Sequence, residues 1–257
     1  MTKVMACWRY NTRNTGDTYS GWYLYFPRQV SEFGVTPKGR DYSKFERNDV
    51  VVMGGGLGLS GRPWLDWLRR NGRNKMIGWG LGSNHGKRNP AHWLYFTQRE
   101  WWPGYAHWAP CPSCMHPLFD LYVGEHANPP EPEHDVVFYV NTLHSPMKGA
   151  PNLLGNDTPD LSDILAHLWS GRLVVTSSYH GMYWASLLGK PVVAVTYREK
   201  MLNTPWQAGY VSTWKNWQSD VDSAKSWANA LSTCRSRTLE VASDISGVIK
   251  NWDYDEK

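Results

Sequence analysis

The sequence predicts an α/β protein built from parallel strands, and three observations support this. Residues 173–175 and 192–195 are short apolar runs rich in valine, as is typical of parallel strands buried on both faces. Residues 182–188, between them, have the composition of a helix, which Gly189 ends and Pro191 keeps from continuing. Strand-like and helix-like segments alternate along both halves of the chain, which favours two doubly wound, Rossmann-like lobes.

The N-terminal lobe is expected to cover residues 1–130 and to begin with a strand. Several short apolar runs in this half end in glycine or in a polar loop, which suits the carboxyl end of a parallel strand. The four predicted strands are residues 3–10, 50–53, 75–82 and 93–96. A helix is predicted between the second and third strands, at residues 63–70.

The C-terminal lobe is expected to cover residues 131–257. It follows residues 128–133 (NPPEPE), which are rich in proline and acidic residues and poor in apolar ones, as is typical of a linker. The lobe then begins with a strand at residues 135–141. Its predicted helices are residues 161–168, which Gly171 follows, and two C-terminal segments at residues 224–231 and 239–249.

The 257-residue chain carries a net charge of +4, with basic residues scattered along it. This mild excess suits an anionic small-molecule partner and is weak support for nucleic-acid binding. No segment is long and apolar enough to cross a membrane, and the N-terminus lacks the pattern of a signal peptide, so we expect a cytoplasmic protein. The 16 tryptophans are an unusual excess. Most are expected in the core, although aromatic faces also stack on sugars or bases.

Cys111 and Cys114 have the spacing of a metal-binding or redox pair, with His107 and His116 close by. A zinc site usually needs a second such pair, and the prolines around these cysteines indicate a rigid loop. We therefore expect no metal and a structural role for the loop.

The junction after the strand at residues 173–175 is the strongest candidate for a ligand site. It places five residues where the carboxyl end of a strand meets the N-terminus of a helix: Ser177, Ser178, Tyr179, His180 and Gly181. Backbone donors and the positive end of the helix converge on an anion at such a junction. A histidine and two hydroxyls there indicate a phosphate or carboxylate ligand, although one serine is equally expected to cap the helix.

Two further junctions lie at the ends of N-terminal strands. Asn14, Gly16 and Asp17 follow the first strand, and a glycine run that includes Gly55 and Gly56 follows the second. Because parallel strands share a carboxyl edge, both junctions are expected to face the ligand. Asp17 by itself is also explained as a residue that caps a turn.

Taken together, these segments resemble the polysaccharide pyruvyl transferase family. The motifs occur in the order that the family shows, and the segment at residues 175–181 is the most specific of them. The motifs are NTGD (residues 14–17), DVVVMGGG (49–56), IGWG (77–80), Arg99-Glu100, CPSCM (111–115) and VTSSYHG (175–181).

The resemblance implies a GT-B-like fold with the ligand in a cleft between two lobes, and a last helix that crosses back to the first lobe. It also implies a transferase that uses phosphoenolpyruvate as its anionic donor substrate and needs no cofactor. The pyruvyl group would then be joined to two hydroxyls of a saccharide as a ketal, as in exopolysaccharide biosynthesis.

The resemblance also implies roles for individual residues. His180 matches a donor-binding histidine, Arg99 falls where a basic residue contacts the donor, and Asp17 matches an aspartate suited to proton transfer. Asp17 and His180 are therefore the expected catalytic residues, with Arg99 and residues 177–181 on the donor. The expected substrate-binding residues are Asn14, Gly16, Gly55 and Gly56.

Two other functions stay open. A GT-B-like frame binds nucleotide diphosphates at the same junction, so a nucleotide-sugar-dependent glycosyltransferase is the first alternative. Its acceptor would be a glycan or, given the aromatic excess and basic charge, a hydroxylated nucleic-acid base. The second alternative is a glycan-binding module without catalysis, which would use tryptophans as stacking platforms.

Overall fold

The computed structural model describes the chain in segments, and its Cα atoms form two compact units. The described residues are 4–8, 13–26, 30–34, 50–54, 75–82, 93–101, 107–142, 147, 149–195, 201–205, 208–211 and 213–255. Unit 1 comprises Met1–Thr12, Asp17–Ser113 and Ser236–Lys257, and unit 2 comprises Arg13–Gly16 and Cys114–Arg235. The helix predicted at residues 63–70 lies outside the described residues.

The described part of unit 1 contains a five-stranded sheet in which all neighbouring strands are parallel. Its strands are β1 (Val4–Trp8), β2 (Val30–Gly34), β3 (Val50–Met53), β4 (Lys75–Leu81) and β5 (Tyr95–Gln98). They lie in the order β2-β1-β3-β4-β5. Their carboxyl ends share one edge. The short helix α1 (Thr15–Thr18) and a 3₁₀ helix (Trp22–Leu24) follow β1 in the sequence.

The last helix, α4 (Ala230–Asp255), packs on the unit 1 sheet with its later turns. Val241, Ile245 and Ile249 are four residues apart, so they share one side of the helix. They join a buried cluster with Val4, Ala6, Val50, Val52 and Ile77. From Ser236 onward the helix belongs to unit 1.

One continuous helix stands where the sequence predicted two, at residues 224–231 and 239–249. Residues 232–238 contain no glycine or proline that would interrupt a helix. Cys234 and Thr238 are both fully buried and continue the stripe that Val241 extends. The gap between the two predicted helices is therefore bridged by two small side chains that suit the same buried face.

The described part of unit 2 contains a second five-stranded parallel sheet. Its strands are β6 (His134–Val140), β7 (Leu153–Gly155), β8 (Gly171–Thr176), β9 (Val192–Val195) and β10 (Gly209–Val211). They lie in the order β10-β9-β8-β6-β7, so β8 is central and its carboxyl end is flanked by β6 and β9. This arrangement places the candidate ligand site at the middle of the sheet edge.

Two helices cover one face of the unit 2 sheet: α2 (Leu161–Ser170) and α3 (Tyr179–Leu187). The prediction of a helix at residues 161–168 is confirmed, and the Asp160 carboxylate caps it by accepting from the Ser162 N–H at 2.8 Å. On the opposite face, Phe138 packs edge-on against Trp214 and Trp217. The sheet is thus covered on both faces, which explains the apolar runs within its central strands.

The division between the units differs from the predicted one at residue 130. It falls between Ser113 and Cys114, and residues 13–16 join unit 2. The proline-rich segment is already attached to unit 2, because the Trp169 indole N–H donates to the Pro130 carbonyl at 2.6 Å. The Tyr122 ring also packs on Trp169, with 5.5 Å between the ring centroids.

Both units show the parallel strands and intervening helices of a mixed α/β protein, as the sequence predicted. The strands β2, β7 and β10 were not predicted. β7 and β10 contain only three residues, and β2 (VSEFG) includes a serine and a glutamate instead of a continuous apolar run. Within the described ranges, no helix combines the length and the apolar character that crossing a bilayer requires.

Lys190 links the end of α2 to the turn before β9. Its ammonium group donates to the Trp169 carbonyl at 2.8 Å and lies 3.8 Å from the centroid of the Trp169 ring. Only 7% of the residue is exposed. Burial lowers the pKa of Lys190 to about 8, because removing water disfavours the charged form.

This pKa predicts a pH dependence of stability with a definite sign. Between pH 8 and about 10.5, the unfolded chain holds a proton on this lysine that the folded chain has lost, so the free energy of unfolding rises with pH. Denaturant unfolding of the wild type and of Lys190→Met tests this. Between pH 8 and pH 10, the free energy of unfolding of the wild type should rise relative to that of Lys190→Met. Parallel pH profiles of the two proteins would contradict this.

Candidate functional site

Ser178 forms the N-cap of α3, and this fixes the geometry of the predicted anion site. Its backbone is extended, and its hydroxyl oxygen accepts from the Gly181 N–H at 3.4 Å. The Ser178 N–H in turn donates to the Thr176 hydroxyl oxygen at 3.0 Å. The cap starts the helix at Tyr179, three residues before the predicted start at residue 182. The Gly181 N–H, which the sequence predicted to face the ligand, instead donates its hydrogen bond to this cap.

Ser177 connects the same junction to the neighbouring strand. Its N–H donates to the Tyr139 carbonyl at 3.2 Å, and its hydroxyl oxygen accepts from the Asn141 N–H at 3.1 Å. The hydroxyl that was predicted to bind the donor therefore holds the carboxyl end of β6 in place.

His180 is the second residue of α3 and is 4% exposed. Its imidazole packs against two aromatic rings of the same helix, with ring centroids 5.5 Å from Tyr179 and 5.2 Å from Trp184. The ring thus lies in the first turn of the helix, where backbone N–H groups give the helix its partial positive charge.

Gly16 lies directly against the His180 imidazole. A Cβ atom at position 16 would overlap the Nδ1 atom of His180, so a side chain is excluded there. This close approach gives Gly16 a physical reason to be glycine. The structure therefore brings together two of the predicted site residues that are far apart in the sequence.

Hydrogen bonds hold the segment around Gly16 on unit 2. The Thr15 N–H donates to the Asn156 carbonyl at 2.9 Å, and the Thr15 hydroxyl donates to the Thr158 carbonyl. The Asn14 side-chain oxygen accepts from the Gly16 N–H at 3.2 Å, which closes the turn. Asn14 thus shapes the turn that presents Gly16 to the histidine.

A second group of predicted residues lies in unit 1, around Arg99. Arg99 follows β5 and is 5% exposed, and Asp17 is equally buried. The guanidinium lies against Gly82, where an added Cβ would come within 2.8 Å of a terminal nitrogen. Both charges act on the thiol of Cys111, so each of them lies within electrostatic reach of that thiol.

The Cys111 thiol is held in its neutral form. Burial raises the pKa of this thiol. Two weaker effects lower it: the Ser113 hydroxyl, which donates to Sγ at 3.2 Å, and the positive charge of Arg99. Cys111 and Cys114 are both buried, and neither forms a disulfide within the described part of the chain. Cys114 lies in the 3₁₀ helix Pro112–Met115. The described residues include no cluster of three or more metal-binding side chains. That the loop binds no metal stays a prediction.

The remaining predicted residues lie outside these two groups. Gly55 and Gly56 are outside the described residues. Gly54, which precedes them, packs so tightly that an added Cβ would lie 2.9 Å from the Trp79 carbonyl oxygen. The predicted position of His180 opposite Asp17 stays a prediction, since the two residues belong to different units.

Three residues that the sequence analysis did not single out lie beside the predicted residues of unit 2: Tyr139, Thr142 and Asn156. The Asn156 side-chain oxygen accepts from the Thr142 N–H at 3.0 Å, which joins the loops after β6 and β7. Asn156 follows a three-residue strand that has no recognisable pattern. Tyr139 carries a hydroxyl within an otherwise apolar run of β6. That hydroxyl is the feature of the sequence that could have indicated a role at the site.

The comparisons with known proteins do not assign a family. No protein-family model matches the chain, and no curated protein matches it. A solved structure of a functionally uncharacterized protein from Klebsiella pneumoniae is similar to it. That similarity covers 75% of this chain and 82% of the other, with 15% identity and a TM-score of 0.43.

The contact between Gly16 and His180 predicts that Gly16→Ala destabilises the protein. The methyl group has no room unless the imidazole or the turn moves, and such overpacking typically costs about 1–3 kcal/mol. Denaturant unfolding followed by circular dichroism measures the change.

Gly247→Ala is the matched control, because this glycine lies in α4 with open space around its Cα. Replacing glycine by alanine in a helix should raise the free energy of unfolding by roughly 0.5–1 kcal/mol. Equal effects of the two substitutions would contradict the packing described for Gly16.

Proposed function

We propose that the protein is a transferase that moves the pyruvyl group of phosphoenolpyruvate onto a saccharide as a ketal. The GT-B-like, two-lobed arrangement implied by the resemblance is part of this proposal. The observation that carries it is the buried His180 in the first turn of α3, held against Gly16 at the carboxyl edge of a parallel sheet. An imidazole in its protonated form and a helix N-terminus both favour an anion at this point.

Phosphoenolpyruvate offers two anionic groups to the protein. In the proposal, the N-terminal turn of α3 and His180 bind the phosphate. Arg99 binds the carboxylate, because its planar guanidinium can donate two parallel hydrogen bonds to the two oxygens. Arg99 suits this role because it is buried beside Gly82 at the end of β5, where water competes little for the guanidinium.

The proposed reaction needs an acid and a base. The acid, His180, gives a proton to the methylene carbon of phosphoenolpyruvate, and the adjacent carbon becomes electrophilic. A saccharide hydroxyl forms a C–O bond to that carbon while Asp17 takes its proton. A second hydroxyl then forms the other C–O bond, the bond to the phosphate oxygen breaks, and phosphate leaves with the second proton. Each such proton transfer typically contributes about 10²–10⁴-fold to the rate.

Ligand binding separates this proposal from the two alternatives. Phosphoenolpyruvate should raise the melting temperature of the protein, because a ligand that binds only the folded state stabilises it. A nucleotide sugar that stabilises the protein instead would favour the glycosyltransferase. Stabilisation by a glycan alone would favour the binding module.

His180→Ala should weaken phosphoenolpyruvate binding by about 10- to 150-fold. A hydrogen bond to a charged group contributes roughly 1.5–3 kcal/mol, which corresponds to that range of affinity. Titration calorimetry on the wild type and the variant measures the difference. His180→Gln, which retains much of the side-chain volume, guards against an effect that comes only from the cavity.

His126→Ala is the control for this experiment, because His126 is an exposed histidine outside the site. It should bind phosphoenolpyruvate like the wild type. If His180→Ala folds and keeps wild-type affinity, the assignment of the donor site to α3 is wrong.

A further inference from the structure

We propose that Tyr139 is a further ligand-contacting residue whose hydroxyl donates a hydrogen bond to the anion at the N-terminus of α3. This inference rests on the anionic donor of the proposed function and adds a residue that neither the motifs nor the resemblance indicated.

Tyr139 lies directly beneath the first turn of α3. It is the sixth residue of β6, and its Cα pairs with that of Thr176, the last residue of β8. A Cβ atom built on Gly181 would overlap both the Tyr139 ring and the Thr176 hydroxyl. The ring edge formed by Cδ1 and Cε1 therefore packs against Gly181, within the first turn of the helix.

The Tyr139 hydroxyl is buried and forms no hydrogen bond with the described part of the chain. The residue as a whole is 0% exposed. A buried hydroxyl without a partner is unfavourable, since it gives up its hydrogen bonds to water and gains none in return. Phenylalanine would fill the same space without that cost, so the hydroxyl is best explained by a partner that arrives with a ligand.

The Tyr139 hydroxyl is protonated, so it can donate a hydrogen bond to an anionic ligand. Burial raises the pKa of Tyr139, and the charge of Asp157 raises it further, so the phenol keeps its proton. A neutral phenol beside a helix N-terminus adds an O–H donor to the backbone N–H donors of a site that favours negative charge. Phosphate and carboxylate oxygens are the acceptors that match such a group of donors.

Asp157 provides a second test, because it carries the one charge that acts on the Tyr139 hydroxyl in the described residues. Asp157 is exposed to solvent, so water screens its repulsion of a bound anion. Under the proposal, Asp157→Asn should leave the affinity for an anion unchanged or raise it. Weaker binding after this substitution would instead indicate a ligand that uses the carboxylate as an acceptor, such as a neutral sugar hydroxyl.

The decisive variant is Tyr139→Phe, measured for both stability and binding. Its melting temperature without ligand should equal or exceed that of the wild type, because an unsatisfied hydroxyl has been removed. Its affinity for phosphoenolpyruvate should fall by about 10- to 150-fold, and its affinity for inorganic phosphate should fall as well. Tyr183→Phe is the matched control, because Tyr183 is also a fully buried tyrosine but lies in α3. This variant should bind phosphoenolpyruvate with wild-type affinity.

The outcomes separate this inference from the proposed function. If the wild type binds phosphoenolpyruvate and Tyr139→Phe binds it equally well, the role of Tyr139 is wrong and the proposed function stands. If the wild type binds a nucleotide sugar instead and Tyr139→Phe weakens that binding, the role of Tyr139 stands and the donor is wrong. A variant that loses stability and affinity together, or a wild type that binds none of these anions, would overturn the inference.

Discussion

The contact between the Gly16 backbone and the His180 imidazole is the constraint on which the candidate site depends. It joins a turn from the start of the chain to a helix that begins at Tyr179, and it leaves no room for a side chain at position 16. The hydrogen bond from Thr15 to Asn156 holds that turn on unit 2, and the Ser178 cap holds the helix. The imidazole is therefore held from both sides before any ligand is present.

Burial of polar groups without full compensation recurs in both units. In unit 1, the Trp22 and Trp79 rings stack with centroids 5.7 Å apart, yet neither indole N–H has a hydrogen-bond partner among the described residues. In unit 2, the Tyr139 hydroxyl is likewise buried without a hydrogen-bond partner among the described residues. An apolar side chain at each of these positions would avoid the cost of burying a donor without a hydrogen-bond partner.

The local elements of the fold were predictable because their signals lie within short segments. The β8–α3–β9 unit combines valine-rich runs, a capping serine and a terminal glycine. The structure contains all three elements in the predicted order, although α3 begins three residues before the predicted start. The strands β7 and β10 were missed because three residues are too few to show a period. The division between the units was also missed, because the contacts that attach Pro130 to Trp169 join residues far apart in the chain.

The candidate site was predictable only in part, for a similar reason. The strand-to-helix junction identified His180, because polar residues after a buried strand have a known use. The sequence did not show which of Ser177 and Ser178 caps the helix, because the cap is set by the backbone angles at this junction. The overlap of Gly16 with His180 and of Gly181 with Tyr139 arises from packing between separate segments, and such contacts leave no periodic signal.

The central claim, that an anion binds at the N-terminus of α3 beside His180, is tested most directly by nuclear magnetic resonance. Phosphoenolpyruvate would be titrated into the ¹⁵N-labelled protein while backbone amides and histidine ring protons are followed. The account predicts that the largest saturable shifts occur at the amides of Tyr179 and His180 and at the His180 ring. Saturable shifts that leave these groups unchanged, or no shifts at all, would contradict it.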